Sequence, residues 1–161
     1  MSQLALDRLK ERFGDAILDT HSLHGDDTAV VAREMSFKIL AFLRDDPELQ
    51  FNFCSDVTCV DYLGREPRFE VVYHLYSIPK KKRVRIKVRL SEDDPTIASS
   101  VELWSGNNWC EREAFDLYGI RFEGHPDLRR MFMYPSFEGH ALRKDYPKDH
   151  RQPLARREGL V

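Results

Sequence analysis

Apolar and polar residues alternate along three consecutive segments in the middle of the chain. In KKRVRIKVRL (81–90) the apolar side chains alternate with cations, a pattern typical of a strand with one buried face. QFNFCSDVTCVDYLG (50–64) and RFEVVYHLYSI (68–78) show the same period, and the turns between the three segments are short. We therefore predict three neighbouring antiparallel strands. Two shorter apolar runs on either side of Gly25 predict a hairpin before them.

Helical spacing of apolar residues predicts a helix on each side of this hairpin. Ser2 is expected to cap the first helix, which ends at Gly14. The second helix occupies AREMSFKILAFLRDDP (32–47) and ends at a proline. Asp94, which precedes a proline, predicts the start of a third helix in EDDPTIASSVELW (92–104).

A fourth helix is predicted over WCEREAFDLYG (109–119). Asn108 and Glu111 have the spacing of a capping box at its start, and Gly119 is expected to end it in a left-handed conformation. The element order is then helix, two strands, helix, three strands and two helices. This order predicts an α+β fold with two layers, in which the helices pack on a mostly antiparallel sheet.

Regular periodicity is absent after Gly119, so we predict a head domain (1–120) and an extended, irregular C-terminal tail (121–161). Prolines throughout the tail prevent a long helix or a central strand. The tail nevertheless contains many aromatic and methionine side chains, and its cations outnumber its anions, whereas anions predominate in the head. A long irregular segment of this kind is usually functional, so we expect the tail to dock on partner proteins.

The composition narrows the function classes. A net charge of −2 disfavours nucleic-acid binding over the whole surface, and PKKKRVR (79–85) is explained by a turn that leads into the amphipathic strand. The 3 cysteines include no CxxC pair, and Cys54 and Cys59 are expected on opposite faces of a strand, so no thiolate metal site is predicted. No apolar stretch is long enough to span a membrane, and the charged N-terminus is unlike a signal peptide.

The tetrapeptide FEGH occurs twice in the tail, and each copy is followed by a pair of cations. The residues concerned are Glu123, His125, Arg129 and Arg130 in the first copy, and Glu138, His140, Arg143 and Lys144 in the second. Two histidines and a carboxylate are a possible metal-ligand set, but nothing in an irregular segment pre-organises the geometry that ligation demands. The simpler interpretation is that each histidine bonds to the backbone after a turn at glycine.

The predicted fourth helix carries Arg112, Glu113 and Asp116 on the same side as Trp109. Arg112 and Asp116 are four residues apart and are expected to pair. Aromatic residues on the opposite side indicate that both sides are covered, so the charges are expected to form a paired network. An exposed salt-bridge stripe and a pair of acid–base catalysts are the alternatives, although no nucleophile or phosphate-binding loop accompanies the acids.

The run EREAFDLYGIRFEGHPDLRRMFMYPSFEGHALRKDYP (111–147) strongly resembles the signature of the C subunit, the 30 kDa subunit family, of respiratory NADH:quinone oxidoreductase (complex I). One departure is Ala141, where the family commonly has proline. The resemblance marks as signature or partner-interface positions Glu111, Arg112, Glu113, Asp116, Gly119, His125, Pro126, Arg129, Arg130, Gly139, His140, Arg143, Lys144 and Asp145.

The resemblance implies a peripheral-arm subunit that supports assembly and stability of the hydrophilic arm near the quinone-reducing end. The chain itself would bind no cofactor and would not be catalytic, because FMN, iron–sulfur clusters, NADH and quinone would lie on other subunits. The implied partners are the B and D subunits at the quinone end and the iron–sulfur I subunit. The implied location is the cytoplasmic face of the bacterial inner membrane, without a membrane span.

Two other functions stay open at this point. The first is the equivalent subunit of a related membrane-bound hydrogenase or dehydrogenase complex. The second is a free-standing metal or acid–base enzyme built on Glu113, Asp116, His125 and His140. Metal analysis of the purified chain separates this enzyme from a structural subunit.

Overall fold

One five-stranded sheet and three helices form most of the fold. The computed structural model describes residues 3–152, so the predicted cap at Ser2 lies outside the described residues. The strands of this sheet are β1 (Ile17–Leu23), β2 (Asp26–Val31), β3 (Phe53–Asp61), β4 (Phe69–Ser77) and β5 (Lys82–Leu90). The helices are α1 (Gln3–Phe13), α2 (Ser36–Asp45) and α3 (Asn107–Tyr118), with short 3-10 turns at Gly14–Ala16 and Arg33–Met35.

The sheet has the order β1-β2-β5-β4-β3. Strands β2 and β5 are parallel, and the other neighbouring pairs are antiparallel. The predicted α+β class with a mostly antiparallel sheet is therefore confirmed, as are the hairpin and the three consecutive strands. None of the helices within residues 3–152 has the length and apolar character that crossing a membrane requires.

An apolar core lies against one face of the sheet. Alternate residues of β4 and β5 are buried and lie opposite one another, for example Tyr73 and Ile86. The helices complete the core with Ala5, Leu6 and Leu9 from α1, Ile39, Leu40 and Leu43 from α2, and Ala114 from α3. The other face of the sheet carries charged side chains, and Lys87 Nζ there donates a hydrogen bond to Glu70 at 2.7 Å. The predicted alternation along β5 thus separates core from charged surface.

The predicted third helix is absent. Thr96–Ala98 forms a short strand, β6, which pairs in parallel with a second short strand, β7 (Arg121–Glu123). Ile97 and Phe122 lie opposite each other in this pair, and both are buried. The helix prediction was wrong because the β-branched Thr96 and Ile97 favour a strand once a partner strand is available, and that partner lies far along the chain.

Strand β7 also corrects the prediction that regular structure ends at Gly119. Phe122 belongs to the apolar core, so the first residues of the tail complete the head. The division of the chain at residue 120 stays a prediction. The structure shows only that β7, which follows this boundary, packs with the elements before it.

A β-bulge in β3 corrects the prediction for two cysteines. The strand register shifts between Cys54 and Asp56, so that Cys54 lies opposite Leu75 and Cys59 lies opposite Val71. Since those two partners are four residues apart on β4, both cysteines lie on the same side of the sheet. Both pack against the core, and burial raises the pKa of each thiol to about 12. They are neutral thiols.

We expect Phe122→Ala to lower the free energy of unfolding by about 3–5 kcal/mol, because it leaves a cavity in the core. Phe132 is the matched control, since it is a tail phenylalanine whose side chain is 57% exposed. Phe132→Ala should change the same quantity by no more than about 0.5 kcal/mol. Urea unfolding of the two variants measures the difference. Equal effects would show that β7 does not contribute to the core.

Candidate docking surface around the last helix

The tail folds back over α3 of its own chain. After β7, a first loop (124–135) runs beside the helix, and a second loop (136–147) crosses the end of the helix and reaches the turn between β3 and β4. The tail was expected to need a surface supplied by partners. Its described part rests instead on the head, and its outer side is left as the candidate docking surface.

Asp116 organises the first loop. Its fully buried carboxylate accepts hydrogen bonds from three successive backbone N–H groups, those of Met131, Phe132 and Met133, at 2.9, 2.7 and 2.9 Å. It also accepts a hydrogen bond from Arg130 Nη1 at 2.8 Å. Burial alone would raise the pKa of Asp116, but these hydrogen bonds hold that pKa below its ordinary value of 3.8. The ionised carboxylate therefore stabilises a loop that has few backbone–backbone bonds of its own.

Arg112 does not pair with Asp116 as predicted. Arg130 of the first loop takes that position, because this loop runs beside the last turns of the helix. The Nε of Arg112 donates to the carbonyl oxygen of Arg129 at 3.2 Å, and its guanidinium carbon lies 5.0 Å from the centre of the Trp109 ring. Of the charges predicted to form a network on this side of α3, only Asp116 is paired within residues 3–152, and the loop supplies its cation.

The second loop satisfies the last carbonyl groups of α3, which have no partner within a helix. The donors are His140 Nδ1, the Leu142 backbone nitrogen and Arg143 Nε, which bond the carbonyl oxygens of Asp116, Leu117 and Tyr118 at 2.9, 3.0 and 2.7 Å. Burial lowers the pKa of His140 from its ordinary value, which favours the neutral ring. The end of the helix is therefore capped by the tail.

Gly119 gives the second loop room to approach. Its φ of +81° confirms the predicted left-handed conformation, and its N–H closes the helix on the carbonyl oxygen of Phe115 at 2.9 Å. A Cβ at this position would lie 2.5 Å from His140 Nε2 and 2.7 Å from Arg143 Nη2. Glycine is required both by the backbone and by the side chains packed on it.

The two FEGH copies hold opposite ends of α3. The glycine of each copy is left-handed, with φ of +80° and +83°. His125 Nε2 donates to the carbonyl oxygen of Asn108 at 3.2 Å in the first turn of the helix, while its Nδ1 accepts from the Asp127 N–H at 3.0 Å. His140 bonds the carbonyl oxygen of Asp116 in the last turn. The interpretation of both as loop histidines bonded to the backbone is confirmed.

Glu111 ties the start of α3 to the segment after β6. Its buried carboxylate accepts hydrogen bonds from the Ser99 hydroxyl at 2.6 Å and from the Ser100 N–H and hydroxyl at 2.7 and 2.6 Å. Burial raises the pKa of this carboxyl group. The predicted capping box with Asn108 is therefore wrong, because the helix begins at Asn107 and the glutamate is used in a tertiary contact.

Arg68 anchors the end of the second loop, and the sequence patterns did not single it out. Its almost fully buried guanidinium bonds both carboxylate oxygens of Asp61, each at 2.9 Å, and both of Asp145, at 2.7 and 3.1 Å. Its Nη1 also donates to Glu92 at 2.5 Å. The Lys144 N–H donates to Asp61 at 2.8 Å, and the pKa values of Asp61 and Asp145 are lowered mainly by their hydrogen bonds to Arg68.

The position of Arg68 in the sequence could have identified it as a buried, paired charge. An arginine directly before a strongly apolar strand, with an aspartate at the end of the preceding strand, indicates a paired buried charge.

The remaining signature side chains do not converge on one point. Glu113, Pro126 and Lys144 are exposed, and Arg129 pairs with Asp127 at the surface. Gly139 accepts a hydrogen bond from Arg130 through its carbonyl oxygen at 2.9 Å. Within residues 3–152, no three His, Cys, Asp or Glu side chains lie close enough together to hold a metal ion.

We expect Gly119→Ala to destabilise the chain more than Gly64→Ala. The two glycines share a left-handed φ, +81° and +84°, but an added Cβ at Gly64 meets open space. The backbone cost is therefore common to both, and the difference reports the contact with His140 and Arg143. Thermal or urea unfolding should show an extra loss of at least about 1 kcal/mol at Gly119. Equal losses would mean that the second loop does not pack on this glycine.

We expect Asp116→Asn to cost about 3 kcal/mol or more near neutral pH, because Arg130 loses a buried ionic partner. The pKa of Asp116 is lower in the folded chain than its ordinary 3.8, so its contribution is fully present above about pH 4 and is lost as pH falls through the folded-state pKa. The difference in the free energy of unfolding between Asp116→Asn and the unsubstituted chain should therefore become smaller as pH falls below about 4. Glu113→Gln, on the exposed side of the same helix, is the control. A pH-independent difference would contradict this account of Asp116.

Comparisons with known proteins identify the family. The family model described as the 30 kDa subunit of respiratory-chain NADH dehydrogenase matches residues 29–152. The NADH-quinone oxidoreductase C subunit of Citrifermentans bemidjiense is 51% identical over 89% of this chain and 88% of its own length. The NADH-quinone oxidoreductase C 2 subunit of Rhizobium etli is 52% identical over 91% of this chain and 80% of its own length.

Solved structures agree with these relatives. A trypsin-resistant fragment of Nqo5 is 35% identical, with a TM-score of 0.68 over 77% of this chain and 99% of the fragment. A chain of an archaeal membrane-bound sulfane sulfur reductase shares the fold, with a TM-score of 0.73 over 91% of this chain and 85% of that chain, at 18% identity. The family match covers most of the chain, and the sequence relatives are about half identical along most of their length. The chain therefore belongs to the 30 kDa subunit family of respiratory-chain NADH dehydrogenase.

Proposed function

We propose that this chain is a non-redox subunit in the peripheral arm of an NADH-quinone oxidoreductase, where it supports assembly of the arm. The observation that carries the proposal is sequence identity. Proteins named as the C subunit of that enzyme are 51% and 52% identical to this chain over 89% and 91% of its length. Identity at that level favours this complex over a related membrane-bound hydrogenase or dehydrogenase. The likeness to the sulfane sulfur reductase chain reaches only 18% identity and concerns the fold alone.

The geometry supports a docking role for the outer side of the tail. The hydrogen bonds that Asp116, His140 and Arg143 make with loop or helix backbone lie within the chain and hold the irregular segment in one conformation. Large apolar side chains remain exposed on the same part of the molecule, namely Trp109, Phe132 and Leu142. A pre-organised surface with exposed aromatic residues is typical of a protein–protein interface, because less conformational entropy is lost on binding.

The same geometry gives no support to a free-standing metal or acid–base enzyme. The carboxylate of Asp116 accepts hydrogen bonds from three backbone N–H groups and from Arg130, and His125 and His140 both bond to helix carbonyls. The side chain of Glu113 is exposed to solvent. Our proposal therefore assigns FMN, iron–sulfur clusters, NADH and quinone to other subunits of the complex.

The proposal also includes the partners and the place of the chain in the complex. We assign the B and D subunits at the quinone end and the iron–sulfur I subunit as partners, on the cytoplasmic face of the bacterial inner membrane. The division into a head and a tail that docks on partners is part of the same proposal. It is supported by the structure of the trypsin-resistant Nqo5 fragment, which aligns with 77% of this chain.

An affinity-tagged copy of the chain tests the proposal in the native host. We expect the tagged chain to co-purify with the other subunits, and deletion of its gene to abolish the assembled complex. The isolated chain should neither oxidise NADH nor reduce quinone, and its spectrum should show only aromatic absorption, because flavin and clusters belong to its partners. A stoichiometric flavin or iron–sulfur band in the isolated chain would overturn the non-redox role.

A further inference from the structure

A groove of about 590 Å³ separates α3 from the first loop. Its walls include the apolar side chains of Trp109, Met131 and Pro135. Three arginines also line it, and no carboxylate is among its lining residues. The groove therefore combines apolar side chains with three guanidinium groups.

The three arginines differ in how they are paired. Arg130 is committed to the Asp116 carboxylate and to the Gly139 carbonyl oxygen. Arg129 is exposed and pairs with Asp127 at the surface. Arg112 is only 8% exposed, yet its Nε bond to the carbonyl oxygen of Arg129 is the sole hydrogen bond made by its guanidinium within residues 3–152. The two Nη groups of Arg112 are thus left without an acceptor in the part of the chain that the structure describes.

Although the side chain of Arg112 is mostly buried, its Nη atoms are not fully enclosed and reach solvent in the free chain. The Trp109 ring, 5.0 Å from the guanidinium carbon of Arg112, holds the charged group in place. A guanidinium presented in this way matches the two oxygens of a carboxylate, which accept two parallel hydrogen bonds. A carboxylate that enters the groove would therefore meet Nη groups that have no protein acceptor within residues 3–152.

We propose that this groove receives an aspartate or glutamate side chain, carried on an apolar segment of another subunit, with the carboxylate bound by Arg112. The inference rests on the proposed function, because it requires that the chain assembles with partners. Trp109 is 60% exposed at the edge of the groove, and a small inorganic anion would leave this ring uncovered. Tryptophan and arginine at the centre of a contact are the residues that most often dominate binding energy between proteins.

A photo-crosslinking residue that replaces Trp109 in the assembled complex tests the occupant. We expect one crosslinked peptide, from another subunit, with an Asp or Glu beside the crosslinked position. Crosslinking to lipid, or to no subunit, would overturn the inference. Co-purification of the tagged chain with the complex is measured in the same preparation. It tests the proposed function independently of the crosslink, which tests the occupant of the groove.

Charge exchange then tests the role of Arg112. Arg112→Gln should lower incorporation of the chain into the complex by roughly tenfold or more, because the partner carboxylate is left buried and unpaired. Arg83→Gln, which removes an exposed arginine on β5, is the charge-matched control and should have less than a roughly twofold effect. Arg112→Glu combined with arginine at the partner's acidic position should restore incorporation. Normal incorporation of Arg112→Gln, or no rescue by the exchange, would contradict the assignment.

If Arg112→Gln fails to fold in isolation, Trp109→Ala replaces it. This change removes a largely exposed ring and leaves the Arg112 bond to the loop intact. It should still reduce incorporation, because the occupant loses the apolar wall beside the guanidinium. Unchanged incorporation of Trp109→Ala would likewise overturn the inference.

Discussion

The single carboxylate of Asp116 is the contact on which the arrangement of the tail depends. A segment rich in proline makes few backbone hydrogen bonds with itself, so its N–H groups must find fixed acceptors elsewhere. Asp116 presents two buried oxygens at the end of a helix that is already held by the core, and three consecutive N–H groups of the first loop converge on one of them. Arg130 then neutralises the charge and extends to the second loop.

The helix and the tail satisfy each other. Helix α3 ends with carbonyl groups that no intrahelical donor reaches, and the second loop supplies donors from His140, Leu142 and Arg143. Removing either element would leave the other with unpaired polar groups. This reciprocity explains why a long segment without regular structure takes one path over the head, and why glycine stands where the two approach most closely.

Buried charges hold the second loop in place on the head. The Arg68 cluster fixes the far end of the second loop at the turn between β3 and β4, and pairs of this kind often specify one arrangement without adding much net stability. Arg112 differs from Arg68, since its fork remains without a carboxylate within residues 3–152. The loops are thus held to the head by paired polar groups, whereas the Nη groups of Arg112 have no acceptor within residues 3–152.

The sequence by itself determined the elements whose periodicity is local. Alternation along β3, β4 and β5 and the helical pattern of α3 are properties of neighbouring residues, so the α+β class and the left-handed Gly119 followed from them. The run of residues 111–147 likewise carried the resemblance to the family to which the chain belongs. Only the tertiary structure decided that β6 pairs with β7 and that Ser99 and Ser100 bind Glu111. It also decided that Arg130, and not Arg112, pairs with Asp116, and that Arg68 is buried. Each of these contacts joins residues that are separated along the chain. The secondary structure of a short segment, and the ion pair that a charged side chain forms, depend on which distant residues the fold places beside them.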